Sequence, residues 1–271
     1  RIQMADAGLE ANLIFIKLGG SLITNKDRAE TPDIATLSSL LQEIARFRKL
    51  HSELRFVLGH GSGSFGHHAA KQAGTRDGVY SASDWLGYQA VWASARRLNQ
   101  IVLNACQQAD LPVLSFPPSA SVVTNNHAIQ SWDLAPISSA LTHGLIPVVY
   151  GDVVTDSVIG GTILSTEDLF FHLALALHPS RIFLVGEEEA VYADYPINQE
   201  PLGFISKDAE PGAYIQGSAS LDVTGGMLSK VLLMQKLCAA LPGLSAEIFS
   251  GRNPQNLTKV LAGEAVGTRI G

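Results

Sequence analysis

The sequence predicts an α/β fold, a three-layer αβα sandwich built on a mostly parallel central sheet. Three observations carry this. Short apolar, β-branched-rich runs alternate with helical periodicity almost to the end of the chain. Two of those runs end in glycine-rich turns of the kind that leave a strand and open a helix. The composition, 46% hydrophobic and 16% charged with 25 glycines, is that of a globular α/β enzyme rather than a disordered or fibrous chain.

In chain order, strands are expected at Leu13–Leu18, Arg55–Leu58, Pro112–Phe116, Ile146–Tyr150, Arg181–Val185 and Ala246–Ser250. Thr31-Pro32-Asp33 opens a helix with apolar positions at Ile34, Leu37, Leu40, Leu41 and Ile44. A long helix is expected from about Ser83 to Ala109, and others over Leu169–Leu177, Met227–Leu241 and Pro254–Ala262. Val153–Thr162, with Asp156-Ser157 and Gly160-Gly161, reads as a β-hairpin. Tyr195–Gly217 is rich in proline and glycine and reads as a loop, a flap or interlobe segment. Residues 1–11 read as a leader or disordered segment, 12–178 as an N-terminal lobe and 179–271 as a C-terminal lobe sharing one continuous sheet.

A chain of 271 residues can bury a substantial core. Its net charge of −6 argues against nucleic acid as the main partner. Cys106 and Cys238 lack C-x-x-C spacing and read as buried thiols in a reducing compartment. No uncharged apolar run reaches membrane-spanning length, so the expectation is a cytoplasmic protein without a membrane partner.

The chemistry concentrates in the two turns. The first reads Lys17-Leu-Gly19-Gly20-Ser21, with Lys26 following; the second reads His60-Gly61-Ser62-Gly63-Ser-Phe-Gly66-His67. Glycine lets backbone N–H groups approach an anion closely, and a helix N-terminus behind the turn adds partial positive charge. Two such turns with lysines and histidines suggest a site for two phosphorylated ligands. Gly61-x-Gly63-x-x-Gly66 also matches the dinucleotide fingerprint. The expected next strand is replaced by Gly74–Tyr80 and a long helix, however, and no acid falls at a following strand end. No Walker A sequence and no protein-kinase signature occurs. His60, His67 and His68 have no fixed carboxylate or cysteine partner to complete a metal site. Taken singly, Lys17 also reads as a solvated strand cap, Lys26 as a turn residue, Lys230 as an exposed helical position and Asp152 as a turn cap.

Lys17-Leu-Gly-Gly-Ser21, His60-Gly-Ser-Gly-Ser-Phe-Gly-His67, Tyr150-Gly-Asp152-Val-Val and Asp222-Val-Thr-Gly-Gly-Met227-x-x-Lys230 occur in the order and spacing of the amino acid kinase superfamily. Within it the chain resembles the isopentenyl phosphate kinase family from about Leu13 to Gly267, including Phe249-Ser-Gly-Arg-Asn253. The resemblance implies an ATP-dependent kinase acting on isopentenyl monophosphate, with Mg²⁺ carried on the nucleotide phosphates rather than by protein ligands, and a homodimer. It places the acceptor in the N-terminal lobe and the nucleotide in the C-terminal lobe. By resemblance, Lys17 bridges donor and acceptor phosphates, Lys26 stabilises the transferring group and Lys230 contacts the β- and γ-phosphates. Gly19, Gly20, Ser21, Gly63 and Gly226 line the ATP phosphates, and Ser62, Gly63, His67 and Thr166 the acceptor phosphate.

Three features depart from the family pattern or extend it. Ser165-Thr166-Glu167-Asp168 stands for the usual Ser-Gly-Asp-Asp, with Glu167 in place of the acid that orients the lysines. Gly186-Glu187-Glu188-Glu189-Ala190 replaces the usual Thr-Asp-Val-Asp-Gly, so Glu187 is either an ATP contact or part of a solvated charge run. Trp85, Tyr88 and Trp92 recur at i, i+3 and i+7 on the long helix, either as core or as a wall of the isoprenoid tail pocket, where the family aligns Tyr88 and Val91. A different small-acceptor kinase such as a fosfomycin kinase, and a non-catalytic nucleotide sensor, are the rival functions.

Overall fold

The computed structural model describes residues 12–66, 74–194, 198–210 and 221–271. Its centre is an eight-stranded sheet in the order β12-β14-β13-β9-β1-β2-β6-β3. From β3 (Val113–Ser115) through β6 (Ile146–Tyr150), β2 (Arg55–His60), β1 (Leu13–Leu18) and β9 (Arg181–Gly186) to β13 (Ser245–Ser250), neighbouring strands run parallel. β14 (Thr268–Ile270) reverses against β13, and the two-residue β12 (Phe204–Ile205) closes that edge.

Helices cover both faces, as expected. Alternation along β1 sends Ile14, Ile16 and Leu18 to one face and Leu13, Phe15 and Lys17 to the other. The first face is covered by α2 (Ile34–Leu50), α3 (Ala82–Gln108) and α7 (Gln255–Leu261) through Leu37, Leu40, Leu98, Val102, Leu257 and Val260. The second is covered by α4 (Ala135–Thr142), α5 (Thr166–Leu177) and α6 (Leu221–Ala240) through Ile137, Leu169, Phe170, Leu173, Met234 and Leu237. A four-helix-residue turn, α1 (Gly20–Ile23), follows β1 directly. Cys106 and Cys238 are free, buried and on opposite faces of the sheet.

A second sheet, β5-β4-β7-β8, stands beside this core. Its β7 (Asp152–Asp156) and β8 (Gly160–Leu164) are the hairpin expected from the sequence. The preceding hairpin, β4 (Val122–Asn125) with β5 (Ala128–Trp132), was not expected, because its turn is Asn126-His127 rather than Asn-Gly. Asp156 holds both turns. Burial alone would raise its carboxyl, but the amides of His127, Ile159 and Val158 and the Thr124 hydroxyl hold it well below the usual range.

Part of the expected loop from Tyr195 to Gly217 is extended instead. β11 (Asn198–Leu202) pairs antiparallel with β10 (Val191–Asp194), and β12 lies in the main sheet. Pro201 is compatible with this because a two-stranded ribbon offers an outward-facing edge where no N–H is required. Residues 1–11 lie outside the described residues.

Candidate active site

The central strands end together at their carboxyl edge, the position where open α/β sheets bind ligands. Each exit is tied to its neighbour. The Gly19 amide donates to the Val185 carbonyl (2.7 Å), Gly61 to Leu18 (3.0 Å), Gly251 to Gly186 (2.9 Å) and Gly151 to His60 (3.3 Å). The chain runs from β1 to β2, β6 and β3 on one side and later to β9 and β13 on the other, so β1 and β9 flank a topological switch point. Gly19-Gly20-Ser21 leaves β1 at that point.

The two glycine turns are pressed against each other. A Cβ on Gly20 would lie 2.2 Å from the Gly63 amide nitrogen, closer than any side chain allows. Gly63 itself has φ +47° and a Cβ there would meet Thr24 Oγ1 at 2.1 Å. The buried Thr24 hydroxyl stitches the turns, donating to the Gly20 carbonyl (2.7 Å) and accepting from the Ser64 amide (3.0 Å). Residues 63–66 form a helical turn, and the Ser62 carbonyl accepts from the Phe65 and Gly66 amides. The backbones of the two strand exits therefore meet in direct contact.

Lys17 sits at this junction, on the sheet face that α5 and α6 cover. It is not a solvated cap: its side chain is 8% exposed and its Nζ is ion-paired with Glu167 Oε1. Glu167 is placed by the first turn of α5, which a capping box fixes: Ser165 Oγ accepts from the Asp168 amide, and Asp168 Oδ2 from the Ser165 amide (2.9 Å). Burial pushes the Glu167 carboxyl up, but the ammonium of Lys17, with help from Lys230, more than reverses this and holds it below the usual range. Lys230, on α6, is depressed by burial first and then by the nearby Lys17 charge, while Glu167 and Glu188 pull the other way. The expected trio Lys17, Glu167 and Lys230 is therefore one electrostatic cluster. Lys26, 60% exposed, reaches Glu187, whose carboxylate also takes Arg252. Glu187 is only 17% exposed at its side chain, so the solvated charge run is corrected for this residue.

Other expected residues fall around the cluster. Ser21 lies in α1, and Gly226 lies within α6, which begins earlier than the sequence pattern indicated. Thr166 is buried and its hydroxyl donates to the His60 carbonyl (2.6 Å), which leaves its backbone amide in the first turn of α5 as the group to offer an anion. His67 and His68 lie outside the described residues. His60 Nδ1 lies 3.0 Å from the carbonyl of Gly61 beside it. His60 is buried, its Nε2 is 3.2 Å from Asn99 Oδ1, and its ring stacks on Tyr150 at 5.2 Å, so it is a packing residue.

The aromatic stripe of α3 is not core. The helix buries Val91, Ala95, Leu98 and Val102, whereas Trp85 is exposed and Tyr88 is half-buried. Tyr88 packs against β8, where a Cβ on Gly161 would meet its ring at 2.9 Å. Trp92 carries the Arg96 guanidinium on its face (5.7 Å). Asp152 is buried nearby; burial raises its carboxyl to about 6, countered in part by hydrogen bonds from Ser119 and Val153. Burial raises the phenols of Tyr88 and Tyr150, and the nearby Asp152 charge adds to the rise.

Sequence reasoning passed over Arg252, Glu30 and Arg97. Arg252 had a signal, since it follows the carboxyl end of a strand adjacent to β9. Glu30 and Arg97, paired across the fold, had none.

The fold and the clustered site define an amino acid kinase: residues 12–248 match the amino acid kinase family, and the chain belongs to it. More narrowly, it is similar to the isopentenyl phosphate kinase of Haloferax volcanii, with 35% identity over 264 residues covering 96% of this chain and 98% of that one. The Methanocaldococcus jannaschii isopentenyl phosphate kinase is 31% identical over 267 residues, covering 95% and 98%. An X-ray structure of isopentenyl phosphate kinase superposes with a TM-score of 0.81 at 31% identity, covering 96% of this chain and 100% of that one.

The Asp152 carboxyl has a testable consequence. Because its folded pKa lies above the unfolded value of about 4, the folded state favours the protonated form, and stability from this group falls as pH rises through about 4 to 6. Asp152→Asn should remove that fall and raise stability at pH 7 by roughly 2–3 kcal/mol. Denaturant unfolding of both proteins across this pH range checks it; parallel pH curves would contradict it.

Proposed function

We propose that this chain transfers the γ-phosphoryl group of ATP to isopentenyl monophosphate, giving isopentenyl diphosphate and ADP. The observation that carries this is the contact between the two glycine turns with Lys17 buried at their junction, which makes one site from two phosphate-binding backbones. The near full-length similarity to isopentenyl phosphate kinases supports the acceptor.

Phosphoryl transfer needs positioning and charge neutralisation more than covalent chemistry by the protein. The Gly19-Gly20-Ser21 turn, with Gly226 and Lys230 from α6, holds the ATP phosphates, and Glu187 with Arg252 borders the nucleotide. Ser62, Gly63, His67 and the Thr166 amide hold the acceptor phosphate. Its oxygen attacks the γ-phosphorus as the bond to ADP breaks. Lys17 lies between the two oxyanions and keeps them together; Lys26 moves from Glu187 onto the transferring group. Glu167 holds the Lys17 side chain in place. A general base is not required, because a phosphate monoester is largely ionised at neutral pH. Among the described residues no group of three or more His, Cys, Asp or Glu side chains stands as a metal site. Mg²⁺ is proposed to be carried on the nucleotide phosphates, where it would supply charge neutralisation. We place the acceptor on residues 12–178 and the nucleotide on 179–271, in a homodimeric cytoplasmic enzyme. Among the described residues no helix is long and apolar enough to cross a membrane.

An acceptor screen with ATP tests the function, comparing isopentenyl, dimethylallyl and longer prenyl monophosphates with fosfomycin and amino acids. Prenyl monophosphates should turn over; silence with all of them beside brisk turnover of another acceptor would overturn the proposal. In the same assay His67→Ala should lose about 10²–10³ in kcat, the loss that follows removal of one oxyanion donor. His60→Ala should instead lower the melting temperature more than it lowers kcat.

Tyr88 and Val91 are proposed to wall the hydrocarbon tail, with Trp92 beside them. Tyr88→Ala should extend activity to geranyl or farnesyl monophosphate, each newly buried CH₂ favouring binding by up to about 0.8 kcal/mol. An unchanged chain-length profile with a lowered melting temperature would make Tyr88 a packing residue only.

A further inference from the structure

We propose that Glu30 is a positioning residue that sets where Lys26 stands over the transferring phosphoryl group; this rests on the reading of Lys26 given above. Lys26 is carried on the loop between α1 and α2. The neck of that loop is closed by the Thr24–Pro32 bridge and by the Asn25 amide donating to the Thr31 carbonyl (2.8 Å). Beyond the neck, residues 25–30 are all exposed and bring no apolar anchor of their own. A long side chain on such a loop sweeps a wide volume unless the backbone beneath it is pinned elsewhere.

The pin is Glu30. Its carboxylate accepts from Arg97 through both Nε (3.0 Å, to Oε2) and Nη2 (to Oε1), the two-pronged geometry that fixes orientation as well as distance. The Ser94 hydroxyl, 1% exposed on α3, lies 2.7 Å from Glu30 Oε1 and also within reach of the Phe65 carbonyl. The backbone on either side is held to the second glycine turn: the Glu30 amide donates to the Ser64 carbonyl (3.4 Å) and the Thr31 amide to Ser64 Oγ (3.3 Å). Glu30 has φ +47°, a left-handed conformation that is unfavourable for glutamate and persists only where surrounding contacts impose it. Its carboxyl is held below the usual range chiefly by the Arg97 hydrogen bond.

A partly exposed ion pair of this kind adds little to global stability. Its effect is local. It binds the Lys26 loop to α3, the helix that carries Tyr88 and Trp92, and to the turn that holds the acceptor phosphate. The cation and the acceptor wall are thereby kept in one frame, while Lys26 reaches across to Glu187 on the other side.

The test is steady-state kinetics of Glu30→Ala, Arg97→Ala and the double variant, each repeated in a Lys26→Ala background with a radiolabelled assay sensitive to residual turnover. Glu30→Ala should lower kcat about tenfold or more, as loss of near-attack geometry does, with both KM values within about twofold. Arg97→Ala should match it, the double variant should be no worse than either, and melting temperatures should stay within about 2 °C of the parent. In the Lys26→Ala background the Glu30→Ala effect should shrink to under about twofold, since its route to the chemistry is gone. An equal loss in both backgrounds, or an unchanged kcat for Glu30→Ala beside a large loss for Lys26→Ala, overturns the proposal and leaves Lys26 in its role. An unchanged kcat for Lys26→Ala overturns both.

Discussion

The structure depends on a buried lysine that has to be paid for. Taking Lys17 out of water at the end of the central strand is costly, and the attraction of Glu167 offsets that cost only because the carboxylate is held in place. The capping box of α5 does the holding, and the parity of β1 puts the lysine on the face where α5 begins. Arriving phosphates would meet an ammonium already desolvated and aimed, in surroundings where charge interacts strongly. Lys230 adds a second ammonium beside Lys17; burial and the Lys17 charge both disfavour its charged form, a cost that an arriving anion would offset.

Everything else at the carboxyl edge serves the same junction. The turns after β1 and β2 touch so closely that neither Gly20 nor Gly63 leaves room for a side chain. Thr24 locks them, and Glu187 holds Lys26 and Arg252 at the rim on the β9 side. The hairpin sheet, tied through Asp156, and the aromatic stripe of α3 stand on the β2 and β6 side.

Much of this was legible in the sequence. β1 and β6 have the bounds their apolar runs suggest, and Lys17, Glu167 and Lys230, singled out by short motifs, come together in the fold. β2 runs on through Gly59 and His60, which read as turn because glycine punctuates most chains. His60 stands in the second glycine motif but is not among the expected site residues, and its buried ring lies against Asn99 and Tyr150. α6 continues through Gly225-Gly226, although glycine is a poor helix former. The ion pairs of Glu187 and of Glu30 join residues far apart in sequence, and no local pattern encodes such a contact.

The most direct measurement is the rate of phosphoryl transfer in a single turnover by Lys17→Met, with saturating ATP and isopentenyl monophosphate and folding checked by thermal melt. Methionine keeps the apolar stem and removes the charge. If Lys17 holds the two oxyanions together in the transition state, transfer should slow by about 10²–10³-fold or more while the variant remains folded. A folded Lys17→Met that transfers within about tenfold of the parent rate would contradict the account.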